Sequence, residues 1–217
     1  MIDTIMLVME IIGTVSFAIS GAIIAASSGL DLFGTVLVGC VTAFGGGMMR
    51  DLFLGKTPPM IFSNLSMVIL AVIVAVVVFV VAYIKVDKLR NLMLKIDEAN
   101  NIFDAIGLAA FTIIGTEVAC ASGYEQRAVF VIAMGVLTGI GGGIVRDILV
   151  DKTPYVLKKH IYALASIFGG TLHYVMRTYT PLHTTGMVLG LLSIVTIRLL
   201  AKKYLWKLPK IDVDSIH

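Results

Sequence analysis

Two stretches of this chain carry the same run of chemically active residues. Residues 42–58 read T-A-F-G-G-G-M-M-R-D-L-F-L-G-K-T-P, and residues 138–154 read T-G-I-G-G-G-I-V-R-D-I-L-V-D-K-T-P. Gly45, Gly46, Gly47, Arg50, Asp51, Lys56, Thr57 and Pro58 each recur at a constant offset of 96 residues. Both runs fall late in apolar segments long enough to cross a bilayer. An Arg-Asp pair is costly there unless it is paired or wet. Three successive glycines give up side-chain packing and predict a helix break. A broken helix is tolerated at membrane depth only where its backbone is buried in protein or faces a watery cavity. Carbonyls freed at such a break can replace part of a cation's hydration shell. Gly45, Gly46 and Gly47 with Gly141, Gly142 and Gly143 therefore mark a conduction or transport path. The competing account is close helix–helix packing through small residues, which is also the reading for Gly186-Met-Val-Leu-Gly190.

Other polar residues stand near these runs. Arg50-Asp51 and Arg146-Asp147 are either charged gates in pore vestibules or clamps that cap a helix end. A fixed Arg repels a nearby cation, so gate or clamp suits it better than binding site. Glu10 and Asp104 precede a glycine by one turn near the start of two spans. They either draw cations to each mouth or sit favourably near a helix N-terminus, worth about 0.3–1 kcal/mol. Glu117 lies well inside a span, and its repeat counterpart is Ile23. A carboxylate there must be paired, protonated or wet. Thr42 and Thr138 offer hydroxyls either to the pore or back to their own helix. His173 is read as structural, and Cys40 and Cys120 as small core residues.

The elements that must position these residues are membrane spans. The chain has 217 residues, 58% hydrophobic and 14% charged, against about 25% charged in globular proteins. Its mean hydropathy is +0.97. Seven apolar runs are predicted, at about residues 4–27, 32–54, 60–84, 102–121, 127–149, 158–178 and 182–201. Residues 85–101 read as a linker holding a short amphipathic helix at the interface. Residues 206–217 read as a polar cytoplasmic tail beyond a single membrane domain over 1–205.

The repeat extends past the glycines. Glu10-Ile-Ile-Gly13-x-x-x-Phe17-x-x-x-Gly21 matches Asp104-Ala-Ile-Gly107-x-x-x-Phe111-x-x-x-Gly115 at an offset of 94. Spans 1–3 (about 4–84) are one unit and spans 4–6 (about 102–178) another. Three is odd, so the second unit starts on the opposite side of the membrane, as an inverted repeat. Span 7 is an addition. The expected fold is thus all-α and integral to the membrane: an inverted 3+3 repeat plus a seventh helix, with helices 2 and 5 broken at the glycines. Of the 17 Lys and Arg residues, 13 fall on the face holding loops 1–2, 3–4, 5–6 and the C-terminal tail. The positive-inside rule makes that face cytoplasmic, with the N-terminus outside.

No catalytic triad, metal-ligand spacing or phosphate loop stands out, so no enzyme is expected. The G-G-G-x-x-R-D run lacks the Lys-Ser/Thr and the βαβ surroundings of a nucleotide motif. Inverted repeats with broken helices serve passive channels and secondary transporters of small solutes alike.

The doubled G-G-G-x-x-R-D motif, the two E/D-x-x-G-x-x-x-F-x-x-x-G openings and the seven-span layout resemble the prokaryotic TRIC family of trimeric intracellular cation channels, also labelled glycine transporters. The resemblance covers about residues 1–205. It implies a homotrimer in which each protomer encloses a pore for K+ and Na+, framed by spans 2 and 5. It implies a cell (inner) membrane location, no cofactor or metal beyond permeant cations and bound lipid, and no nucleic-acid partner. The Lys-Glu-Val type motif of animal members has no counterpart here. Gly45-Gly46-Gly47 and Gly141-Gly142-Gly143 stand in its place.

Overall fold

A computed structural model describes residues 2–63, 65–84, 93–158 and 161–206. The described residues are helical almost throughout, as lipid demands, because a helix satisfies its own backbone hydrogen bonds. The helices are α1 (Ile2–Ser27), α2 (Leu32–Phe53), α3 (Leu65–Ile84), α4 (Met93–Ala119), α5 (Ala128–Leu149), α6 (Tyr155–Lys158), α7 (Ile161–Tyr179) and α8 (His183–Lys203). A 3-10 turn at Met60–Ser63 precedes α3, and a π-helical turn at Cys120–Tyr124 ends α4. Asp31 caps α2, its side chain accepting from Gly34 N–H at 2.7 Å. Such a cap is worth about 1 kcal/mol.

Six of these helices are long and apolar enough to cross a membrane: α1, α2, α3, α5, α8 and the stretch Asp97–Tyr124. The sequence had suggested seven. The helix left out, α7, has 19 residues, but His173 and Arg177 lower its hydropathy. Their side chains turn inward, as described below.

The two halves meet each other at two crossings. In the first, Phe17 of α1 packs on Phe111 of α4, with ring centroids 5.3 Å apart. Such a pair adds about 0.5–1.5 kcal/mol beyond its area burial. Gly13 makes room for Phe111 and Gly107 for Phe17. In the second, α2 crosses α5 at the glycine triplets. A Cβ on Gly46 would land on the Thr138 carbonyl oxygen, and one on Gly142 on the Thr42 carbonyl oxygen. A Cβ on Gly141 would come 2.9 Å from Gly46 Cα. Residue numbers rise in one helix as they fall in its partner (42 with 142, 46 with 138), so each helix meets its counterpart antiparallel. That is the arrangement an inverted repeat requires.

This geometry corrects one expectation. α2 and α5 run through Gly45–Gly47 and Gly141–Gly143 as uninterrupted helices. The positive-φ glycines among the described residues are Gly29, Gly55 and Gly123. The triplets are not breaks, because their missing Cβ atoms are used for backbone-to-backbone approach. The Gly186/Gly190 pair packs as expected, with Gly190 against the Gly169 carbonyl. A second correction concerns the linker. Residues 93–101 are the first turns of α4 rather than a separate interfacial helix. The rest of that expected helix, 85–92, lies outside the described residues, as does the tail from residue 207.

α4 is the centre of the bundle, packing on α1, α5, α7 and α8. Of its membrane-length window, 78% is buried, against 17% for α3, whose mean hydropathy is 3.3. α3 therefore leaves most of its apolar surface outside the chain's own core, and α4 carries the buried polar chemistry.

Candidate functional site

The duplicated Arg-Asp pairs close the ends of α2 and α5 in the same way. Arg50 Nε and Nη2 donate to Asp51 Oδ1 at 2.9 and 2.8 Å. Asp51 Oδ2 accepts from Met60 N–H at 2.9 Å, at the start of the 3-10 turn. Arg146 Nε donates to Asp147 Oδ1 at 2.8 Å, and Asp147 Oδ2 accepts from Tyr155 N–H at 2.7 Å, at the start of α6. The Asp51 and Asp147 carbonyls accept from Lys56 and Lys152 N–H, each at 2.8 Å. Each aspartate thus ties an arginine to the turn that follows, which accounts for the spacing R-D-x-x-x-x-K-T-P. All four side chains are buried.

Arg146 has partners that Arg50 lacks. Arg146 Nη1 donates to Asp104 Oδ1 and to Ser20 Oγ, both at 2.8 Å. Asp104 Oδ2 faces Arg198 of α8 at 3.4 Å, and Arg198 also donates to Asn101 Oδ1 at 3.2 Å. The Arg198 guanidinium lies over the Tyr162 ring at 4.5 Å and the Tyr155 ring at 5.1 Å. Two guanidiniums face two carboxylates, so the buried cluster is neutral. An uncompensated charge would be prohibitive at this depth. The cleft beside it, lined by Gly143, Arg146, Asp147, Tyr155 and Tyr162 among others, has no room for a water-sized sphere.

Asp104 is therefore occupied as an ion-pair partner, while its counterpart Glu10 is half-buried and acts on Arg50 only through space. Thr42 and Thr138 are buried, and each hydroxyl donates to its own helix, to the Val38 and Met134 carbonyls at 2.6 Å. That is the back-bonding alternative. Cys120 is buried and Cys40 half-buried, and both are free.

A second cluster forms at the far end of α4. Glu117 accepts from Arg177 Nε at 3.0 Å, and its Oε2 lies 2.9 Å from His183 Nε2 and 3.3 Å from His173 Nε2. Glu117 was singled out by its depth in a span, and the structure supplies its partners. His173, read from the sequence as structural, is buried and faces the same carboxylate. Arg198, Ser20, Arg177 and His183 were not anticipated as site residues. The charges of Arg198 and Arg177 within apolar runs were the available signal.

A family model described as "Glycine transporter" matches residues 7–83 and 101–178, the two halves recognised above as repeats. The chain belongs to the TRIC family. Among relatives of this TRIC-family chain, the inner membrane protein YadS of Escherichia coli is 36% identical over 210 residues, covering 95% of this chain and 96% of that one. The membrane protein YvgT of Bacillus subtilis is 35% identical, covering 93% and 94%. Among solved structures, a prokaryotic TRIC channel crystallised in 0.5 M KCl superposes with a TM-score of 0.83 at 32% identity, covering 94% of this chain and 99% of that one. The TRIC trimeric intracellular cation channel orthologue from Rhodobacter sphaeroides gives 0.83 at 30%, covering 94% and 100%. The chain is thus a multi-pass membrane protein of the TRIC family, and its structural neighbours are cation channels.

Proposed function

We infer that the chain conducts monovalent cations, K+ and also Na+, through a pore inside each protomer of a homotrimer. The observation that carries this is the likeness to solved TRIC channels along nearly the whole of both chains. The reading includes α7 as a seventh crossing. It sets the N-terminus outside and the C-terminus in the cytoplasm, in the cell membrane of a prokaryote. It requires no cofactor beyond permeant cations and bound lipid.

Within the protomer, the path is framed by α2 and α5, with the buried hydroxyls of Thr42 and Thr138 beside their crossing. Here the backbones of Gly46 and Gly142 stand in contact with the opposing helix. Conduction along this seam requires the two helices to part at that point, and the Arg50-Asp51 and Arg146-Asp147 clamps flank it. A Thr hydroxyl released from its own helix, or a carbonyl exposed by the parting, would then replace ion hydration.

A planar bilayer holding the purified protein in a K+ gradient tests the reading. Discrete unitary currents that reverse near the K+ potential are expected. The second reading, a secondary transporter of a small solute such as glycine, is favoured by the description of the matching family model. Saturable glycine uptake into proteoliposomes without unitary currents would select it.

A further inference from the structure

We propose that Glu117, His173 and His183 form a binding site for a divalent transition-metal ion of the Zn2+ class, which staples α4, α7 and α8 together. One carboxylate and two imidazoles come from three different helices, and their ligating atoms all lie within 4.8 Å of one another. Glu117 Oε2 is 2.9 Å from His183 Nε2 and 3.3 Å from His173 Nε2. With Zn–N and Zn–O bonds of about 2.0–2.1 Å, two ligands of a tetrahedral ion stand about 3.3 Å apart. Two edges of the coordination polyhedron therefore have nearly the required length. The imidazole rings lie almost parallel, 20° apart at 5.9 Å, with both Nε2 atoms on the same oxygen.

The donor set selects the metal. Two imidazoles and one carboxylate suit Zn2+, Ni2+ or Cu2+, whereas Ca2+ takes 6–8 oxygens. Each histidine must offer an Nε2 lone pair, so binding moves that proton to Nδ1 or to solvent. Arg177 is the competitor, since its Nε donates to Glu117 Oε2 at 3.0 Å. It has somewhere to go, because Nη1 already reaches Glu125 Oε2 at 3.5 Å and Nε also reaches Glu117 Oε1 at 3.3 Å. His173 Nδ1 is buried without a hydrogen-bond partner. That bare outer side puts the affinity below that of a fully supported zinc site. His183, whose side chain is 24% exposed, is the entry side. Metal binding here requires no flux through the protein.

The test uses the full chain, purified in detergent with any affinity tag removed and stripped of metal by a chelator. Co2+ is the probe. The expected result is the intense visible absorption of four-coordinate Co2+, one ion per chain, lost on adding equimolar Zn2+, with Zn2+ raising the melting temperature. The chain has four histidines, so variants separate this site from His160 and His217. His183→Gln keeps an amide donor for Glu117 and removes the imidazole. It should weaken Co2+ binding by about tenfold or more, the range that even an outer-shell change produces, whereas His160→Gln with His217→Gln should not. Co2+ absorbing only as the aqueous ion in the wild-type protein overturns the proposal without recourse to any variant. Unchanged binding in His183→Gln overturns it equally.

Discussion

The Arg-Asp pairs at 50–51 and 146–147 share one motif and one local hydrogen-bond pattern, yet their surroundings differ. Arg50 has a single carboxylate partner, Asp51. Arg146 has Asp147, Asp104 and Ser20, and Asp104 is shared with Arg198. The difference traces to α8, the helix outside the repeat, which brings a second guanidinium to one end only. It also traces to one methylene: the position that holds Asp104 in the second half holds Glu10 in the first. A duplicated sequence reproduces backbone contacts, but a single added helix is enough to make one end of a symmetric core locked and the other loose.

The sharpest way to break this comparison is to remove the shared carboxylate. Asp104→Asn leaves Arg146 with Asp147 and Arg198 with no carboxylate partner, and breaking such a buried pair costs about 3–5 kcal/mol. Glu10→Gln removes a half-exposed charge with no hydrogen bond and should cost under about 1 kcal/mol. Thermal or denaturant unfolding in detergent measures both. Equal losses would mean that the two ends are not different in energy.

Arg198→Met probes α8 directly. It leaves Asp104 paired with Arg146 and keeps an unbranched side chain against Tyr162. It also leaves two buried carboxylates to one guanidinium, so the loss should approach the roughly 3–5 kcal/mol of a broken buried pair, beyond the cation–π contact alone. Arg146 keeps Asp104 and Ser20, so a loss as small as that of Glu10→Gln would show that α8 does not lock this end.

Next in size is a pair of substitutions that should behave alike. Gly46→Ala and Gly142→Ala each drive a methyl group into a carbonyl of the opposing helix. Overpacking of this kind typically costs about 1–3 kcal/mol. Because the crossing is symmetric, the two variants should lose stability equally, and both should change unitary conductance in the bilayer. Unequal losses would show that the asymmetry of the ends reaches the middle. Unchanged conductance in both would remove the α2–α5 seam from the ion path.

Much of this was legible in the sequence, and what was not has identifiable causes. Hydropathy located most of the helices within a few residues, because a bilayer imposes length and apolarity on any span, but α4 begins at Met93, nine residues before the predicted span. The repeat was legible because its residues recur in register, and the Phe17–Phe111 contact joins two positions that the repeat itself had paired. The glycine triplets were misjudged as breaks. Gly in a row signals either conformational freedom or absence of bulk, and only the Thr138 and Thr42 carbonyls, from the other half, decide for the second. The cluster around Glu117 was half legible. Its depth announced that partners were needed, but His173 and His183 come from α7 and α8, and no periodicity within one helix reveals contacts among three. Arg198 was countable as a charge, and its role depends on where α8 docks.

The smallest effect lies in the turns that follow the two clamps. Gly55 and Asp151 are counterparts, and both hold left-handed backbone, at φ of 70° and 53°. A Cβ on Gly55 would meet nothing within 4 Å, and Asp151 is exposed. Neither position is decided by packing, so the swap reads backbone strain alone. Asp tolerates this region better than most side chains, against a general cost of roughly 1–2 kcal/mol. Gly escapes that cost but loses more chain entropy on folding, by roughly 0.5–1 kcal/mol. Asp151→Gly should therefore stabilise by no more than about 1 kcal/mol, and Gly55→Asp should destabilise by a similar amount. Melting of the two single variants and of the double swap checks this, with the double swap returning close to the wild-type value. A double swap far from that value would mean that the turns inherit the inequality of the ends, through the Lys56 and Lys152 hydrogen bonds that tie each turn to its aspartate.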